Sequence, residues 1–232
     1  MHFDGGYFWS LLFSTRFFEP VLIVVVIATI SMVIGIVIGI VGGVILTSPL
    51  PGLTQIVRGY VMTVRGIPVL VQIVFWYNGL PALTGGAINL PAFAAGIIAL
   101  GFNEGAYMTE IVRAGIQSVD RGQREASQAL SLSYYSMMSK VILPQAVRIA
   151  IPPAGNQAIN LIKNTSLLFA IAIPEIFATG TNLFSANFKY FEVIAVVAIW
   201  YLAIALAYGL FQRSLERRFG RGRVGLFGGV AA

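Results

Sequence analysis

The sequence predicts an all-α integral membrane protein of five transmembrane helices, with its N-terminal end outside and its C-terminal end in the cytoplasm. Three observations lead there. Of 232 residues, 57% are hydrophobic and only 10% charged, against roughly 25% charged in an average soluble domain. The apolar residues come in long blocks rather than amphipathic stripes, each near the roughly 20 residues that cross a bilayer. Most cations lie beside these blocks on what becomes one side, the usual signature of orientation.

The chain divides into an external interfacial segment (1–19), a transmembrane unit (20–212) that includes a cytoplasmic loop (115–145), and a basic cytoplasmic tail (213–232). Tyr7 to Phe18 is mixed and aromatic and reads as an interfacial helix. Pro20 to Leu46 is nearly continuous Val, Ile, Gly and Ala and forms the first span. It is too long for a signal peptide and lacks a basic leader. Within it Ser31, Gly35, Gly39 and Gly43 recur every four residues, a stripe that lets another helix approach closely.

The second span runs from about Ile56 to Tyr77. An uncharged loop from Asn78 to Leu90, with Pro81 and Gly85-Gly86, leads to a third span from Pro91 to about Ala114. After a long polar stretch, apolar patterning resumes near Val141, passes Pro152-Pro153, and forms a fourth span from Ala154 to about Ile173, where Pro174 stops it. The fifth runs from Phe191 to Phe211. With residues 47–58, 113–148 and 212–232 inside, the cytoplasm holds every one of the fifteen Lys and Arg except Arg16, Arg65, Lys163 and Lys189. The outside segments carry acids as well: Asp4, Glu19, Glu175 and Glu192.

The composition also excludes chemistry. Without cysteine and with His2 alone, disulfides, thiol nucleophiles, thiolate or His-cluster metal sites and catalytic triads are ruled out, and no catalytic or metal-ligating residue is expected. The net charge of +6 reflects orientation rather than nucleic-acid binding. A membrane-embedded enzyme lacks the paired carboxylates or His-based site it would need.

Ionisable groups at membrane depth are costly and line cavities or pathways. On the second span Arg58, Arg65 and Gln72 are seven apart and share one face of a continuous helix. On the third, Asn103, Glu104, Tyr107 and Glu110 fall within two turns. Glu110 lies three before Arg113 and is expected to pair with it, whereas Glu104 has no partner on its own span. On the fourth, Asn156, Asn160, Lys163 and Asn164 form one face. These faces converge on a hydrated cavity for a zwitterionic solute, a carboxylate such as Glu104 meeting the ammonium and a cation meeting the carboxyl group. The expected binding set is Arg65 and Gln72, then Asn103, Glu104 and Tyr107, then Asn156, Asn160 and Lys163. The rival reading is a hydrogen-bond network that only holds the bundle together.

Between the third and fourth spans, Asp120 to Ser133 carries helix formers from Glu125 to Leu130, followed by Tyr134 to Lys140 and Val141-Ile142-Leu143-Pro144. A short exposed helix with apolar and charged handles suits docking into a partner's groove. This loop resembles that of the membrane subunits of ATP-binding-cassette importers, which reads E-A-A, three residues, G, nine residues, I-x-L-P. The match is Glu125-Ala126-Ser127, Ser131 and Val141-x-Leu143-Pro144, with Ser for the second Ala, Ser for Gly and Val for Ile. Arg65 to Gln72, Gly105-Ala106-Tyr107, Arg113 to Val119, Gly155-Asn156 and Lys163 to Leu167 are similar to the polar amino-acid subfamily. The resemblance covers about residues 20–212.

It implies a type I importer permease fold and a subunit of an ATP-driven importer of polar, including cationic, amino acids in the bacterial inner membrane. Carried over by position, Glu125 to Ser133 forms the helix that couples to the ATPase, through Glu125, Ala126, Leu130, Ser131, Leu132 and Ser133, with Arg121 and Arg124 orienting it. Ser131 stands where the pattern has Gly, which accepts positive φ without steric cost. The implied partners are two cytoplasmic ATP-binding subunits, a second permease subunit as a homodimer, and an external amino-acid-binding protein. The chain has no G-x-x-x-x-G-K-[ST] loop, so ATP and Mg are expected on the partner and no cofactor on this chain. The alternative is a secondary amino-acid transporter driven by an ion gradient, with Glu104 or Lys163 as coupling group. It leaves the loop helix unexplained, and no inverted repeat is evident.

Overall fold

The computed structural model describes residues 3–220; the tail beyond Gly220 lies outside the described residues. A short amphipathic helix, α1 (Gly5–Leu12), is N-capped by Asp4 and leads through one tight turn, Thr15–Phe17, into α2 (Phe18–Leu46). The expected second span is not one helix. α3 (Pro51–Gly66) and α4 (Val69–Val74) meet at Ile67-Pro68, and the two halves differ in direction by 105°. Proline removes a donor and disfavours helical backbone in the residue before it, so the chain breaks there. A π turn (Phe75–Gly79) and α5 (Leu80–Leu83) continue into part of the stretch expected to be loop.

α6 (Ala92–Gln117) is one unbroken central helix. The expected coupling helix, 125–133, is observed one turn earlier as α7 (Arg121–Ala129), because Asp120 caps it by accepting from the Gly122 N–H at 2.7 Å. α8 (Tyr134–Met137) and a π turn (Met138–Ile142) run into α9 (Leu143–Asn164), which passes through Pro152-Pro153. A 3-10 segment, Thr165–Ile171, ends at Ala172 with φ of 59°. Beyond Pro174 the chain forms α10 (Ile176–Asn187), a helix where an outside segment is expected from sequence, and then α11 (Tyr190–Gly220). α9 and α10 form a second bent pair, at 52°.

Packing registers define relative directions. Gly35 lies against Glu104, Gly39 against Met108 and Gly43 against Val112, so α2 and α6 run parallel. The stripe is therefore an interface: a Cβ at Gly35 would come within 2.6 Å of Glu104 Cγ, and one at Gly39 would overlap Met108. Ser31 adds a hydrogen bond to the Ile97 carbonyl at 3.2 Å. Gly96 meets Leu168 while Gly115 meets Ala146, so α9 runs antiparallel to α6. Gly155 meets Gln212 and Gly180 meets Val197, which sets α11 antiparallel to α9 and α10.

The core is an apolar cluster around Phe17, Ile27, Ile73, Leu100, Leu168 and Ile176, all fully or almost fully buried. By contrast Leu22, Val33, Val37, Leu202, Leu206 and Leu210 point outward on α2 and α11, as lipid-facing residues do. Among the described residues, α2 and α11 are each long and apolar enough to cross a membrane alone, and the two bent pairs qualify if each counts as one span.

Two polar junctions fasten the helices to one another. Glu175, assigned to an outside segment from sequence, is fully buried and caps α10 by accepting from the Phe177 and Ala178 N–H groups at 2.8 and 2.7 Å. Tyr201 of α11 donates its hydroxyl to the same carboxylate. At the N-terminal end, Lys189 Nζ lies 2.6 Å from Asp4 Oδ2 and stands over the Tyr7 ring, while Asn187 donates to the Tyr7 hydroxyl at 2.7 Å. α1 is thereby fastened to the turn between α10 and α11.

Candidate functional site

The break between α3 and α4 opens a cleft of about 660 Å³ against α6 and α9. Its wall on the broken helix is Arg65 to Val69. Arg65 closes the last turn of α3, where its charge complements the helix dipole, and its guanidinium lies 5.1 Å from the centre of the Tyr107 ring. α6 contributes Asn103 and Tyr107, one turn apart on one face. α9 contributes Gln157, Asn160, Lys163 and Asn164, the last two in its final turn.

Five of the eight residues expected to bind solute therefore meet in one cleft: Arg65, Asn103, Tyr107, Asn160 and Lys163. Three do not line it. Gln72 is nearly buried and donates Nε2 to the Val64 and Ile67 carbonyls, both at 2.8 Å, so it ties the two halves of the broken helix together. Asn156, one turn before Asn160, is exposed and does not line the cleft. Glu104 is 1% exposed, pressed behind the cleft against α2. Gln157 was missed; its signal was its place three before Asn160 and seven before Asn164, one helix face. Glu110 pairs with Arg113 as expected, with Nε to Oε2 at 3.0 Å.

The cleft's character follows from its lining. Arg65 and Lys163 supply positive charge, Asn and Gln supply both donors and acceptors, and among the described residues no carboxylate lines it. Such a surface can hold a carboxylate against two cations and an ammonium group against amide oxygens. Its walls belong to four helices, so any relative movement of α3, α4, α6 and α9 changes its shape.

At the other end of α6, α7 lies across the bundle. Arg124 donates to the Ile116 carbonyl at 3.1 Å, filling one of the acceptors left over at the end of α6. Ser127 is buried beneath α7, while Arg121, Glu125, Ala126 and Leu130 to Ser133 are exposed. Leu130 and Tyr135 are 74% and 80% exposed, an apolar handle beside the charged one. The turn after α7 is a complete Schellman motif: Leu132 N–H donates to the Ser127 carbonyl at 3.0 Å and Ser131 N–H to that of Gln128 at 2.8 Å. Ser131 takes the left-handed position with φ of 53°, which explains physically why the family pattern carries Gly there.

Comparison with known proteins was made on this basis. The family model described as "Binding-protein-dependent transport system inner membrane component" matches residues 35–221. A probable amino-acid permease protein, YxeN, of Bacillus subtilis is 40% identical over 75% of this chain and 77% of its own length. An arginine transport system permease protein, ArgU, of Corynebacterium glutamicum is 38% identical over 92% of this chain and 71% of its own. A glutamine transport system permease protein, GlnP, of Escherichia coli is 38% identical over 68% of this chain and 72% of its own. Among solved structures, one described as an amino acid ABC transporter with histidines superposes with a TM-score of 0.81 and 30% identity, covering 94% of this chain and all of the other.

Proposed function

Because the chain belongs to the family of binding-protein-dependent transport system inner membrane components, we propose that it is the permease subunit of an ATP-driven amino-acid importer and forms its translocation pathway. Relatives named as arginine, glutamine and general amino-acid permeases support the substrate class. The comparisons give the ion-gradient alternative no support.

In this reading the chain crosses the bilayer five times, as α2, the α3 to α5 pair, α6, the α9 to α10 pair, and α11. The alternating packing directions support this count. α6, the expected third span, is less uniformly apolar than α2 or α11, since Asn103 and Glu104 interrupt its apolar run. The N-terminal end is outside, α7 and the basic end are cytoplasmic, and the membrane is the bacterial inner membrane. ATP and Mg are used by two cytoplasmic ATP-binding subunits, a second copy of this chain completes the membrane unit, and an external binding protein delivers the solute.

The observation that carries the proposal is the cleft at the α3–α4 break, two cations and four amides gathered in a chain otherwise this apolar. Arg65 and Lys163 meet the solute's carboxylate, and amide oxygens meet its ammonium group. Nucleotide-driven closure of the ATPase dimer moves α7, and the passages on either side of the cleft shift so that it opens first to one side and then to the other.

Two variants test the two ends of this mechanism in proteoliposomes with the ATPase and binding protein. Glu125→Arg, exposed on α7, is expected to abolish ATP-dependent uptake while membrane insertion is unchanged. Lys163→Met is expected to cut uptake by about tenfold or more, the equivalent of one lost charge-assisted contact. Normal transport by Glu125→Arg would count against coupling through α7, and normal transport by Lys163→Met against the cleft as pathway.

A further inference from the structure

Glu104 lies directly behind the cleft, one residue after the lining Asn103, and its surroundings keep it from the solute. Its side chain is 1% exposed and backed by the bare backbone of Gly35, against which its Cβ and Cγ pack. One oxygen, Oε2, accepts from Nε2 of Gln157 at 3.4 Å; the other, Oε1, is buried without a partner. Gln157 in turn lines the cleft, and its Oε1 lies 3.5 Å from Nδ2 of Asn160, another lining residue.

Gln157 presents its NH2 group to Glu104 Oε2, and since a carboxamide has one donating and one accepting end, its oxygen is turned to the cleft side, toward Asn160. We infer that Glu104 is a positioning residue that never touches the solute: it holds Gln157 with its amide oxygen presented to the cleft, where that oxygen and Asn160 receive the ammonium group. This rests on the reading of the cleft as the solute's path. A neutral acceptor suits a passage, since it can receive any amino acid's ammonium without the tight ion pair that would slow release.

The unpartnered Oε1 fits the same role. A buried acceptor without a donor is costly, so one kept in the fold calls for a reason. Among the described residues no second donor reaches this carboxyl group to draw it away from Gln157.

The test is equilibrium dialysis of radiolabelled L-arginine and L-glutamine with the detergent-purified permease–ATPase complex, without the external binding protein. Glu104→Leu and Gln157→Leu are each expected to weaken binding by about tenfold, and the double variant to weaken it no further. Glu104→Gln keeps an acceptor oxygen and should rescue most of the loss seen in Glu104→Leu. Thermal unfolding of the complex guards against simple misfolding: the rescue and the non-additivity must appear among variants that unfold at the wild-type temperature. If Glu104→Gln is as damaging as Glu104→Leu, the charge itself meets the solute and the inference fails. It fails too if the two Leu effects multiply, or if Glu104→Leu binds normally while Gln157→Leu does not. A wild-type complex that binds neither probe, or unchanged binding in both Gln157→Leu and Lys163→Met, would overturn the cleft reading itself and the inference with it.

Discussion

Gln72 illustrates how one side chain keeps a broken helix usable. Its two amide hydrogens satisfy the Val64 and Ile67 carbonyls, which the turn at Pro68 would otherwise leave bare inside the membrane. Gln72→Leu removes both bonds and is expected to cost about 1–3 kcal/mol, read as a lower unfolding temperature in detergent together with loss of the cleft. The heptad spacing of Arg58, Arg65 and Gln72 had placed all three on one face, which holds only for an uninterrupted helix. The evidence against continuity, Gly66-Ile67-Pro68, stood in the same segment, and the break it causes sends Gln72 inward while Arg65 stays in the cleft. Ser131 is a second residue with a definite strain. Left-handed backbone costs an L-residue about 1–2 kcal/mol, so Ser131→Gly should tighten the turn after α7, seen as slower amide exchange at Ser131 and Leu132 without loss of uptake.

At the scale of elements, α2 and α6 are held by absence of side chains. Gly39→Leu must push α2 off Met108, and overpacking of this kind costs about 1–3 kcal/mol; reduced yield of folded complex and a lower unfolding temperature would register it. That interface was legible in the sequence, because a four-residue repeat of small residues on an apolar helix has few other uses. α10 was not legible: Pro174 marks a stop, but the capping that restarts the helix comes from Glu175, a group expected outside and found buried beneath Tyr201. α1 is fastened differently, by an exposed charge pair. The Lys189 hydrogen bond holds the Asp4 carboxyl below its ordinary value of 3.8, and the same bond raises Lys189 above 10.5. The pair's contribution is therefore full between those two ordinary values. It fades as pH falls below 3.8 toward the lowered Asp4 value, and as pH rises beyond 10.5 toward the raised Lys189 value. Fluorescence of Trp9 on α1 should report release on acidification, and Asp4→Asn should weaken the acid limb of that transition without abolishing it, since the Asp4 N–H still bonds to Glu192 Oε1 at 2.8 Å.

For the whole molecule, the class of fold and the helices that make the site followed from composition, block length and cation placement, since bilayer thickness leaves few other ways to arrange such a chain. What composition hides is where a crossing bends, because Pro68 and Pro174 read alike as ends of segments whether or not a helix resumes behind them. The two bends matter to the site: the first supplies its wall, and the second follows the helix that carries Lys163. Glu104 stands behind the cleft rather than in its lining for a related reason. Depth in the membrane is visible in a sequence, but the side of the rod on which a residue lies is decided by which neighbour has no side chain, here Gly35.

The bond from Arg124 to the Ile116 carbonyl makes α7 a crank fixed to the foot of a stiff shaft. α6 is unbroken from Ala92 to Gln117, and at 1.5 Å per residue Tyr107 stands about 14 Å above that foothold. A tilt of roughly ten degrees delivered there would carry the Tyr107 ring by about 2 Å over that height, comparable to the reach of a hydrogen bond. The stacked Arg65 guanidinium, mounted on a different segment, would be left behind. The same small swing would part the cation from its aromatic seat and widen one side of the cleft, so a modest stroke at α7 would suffice to reshape a cleft about 14 Å away.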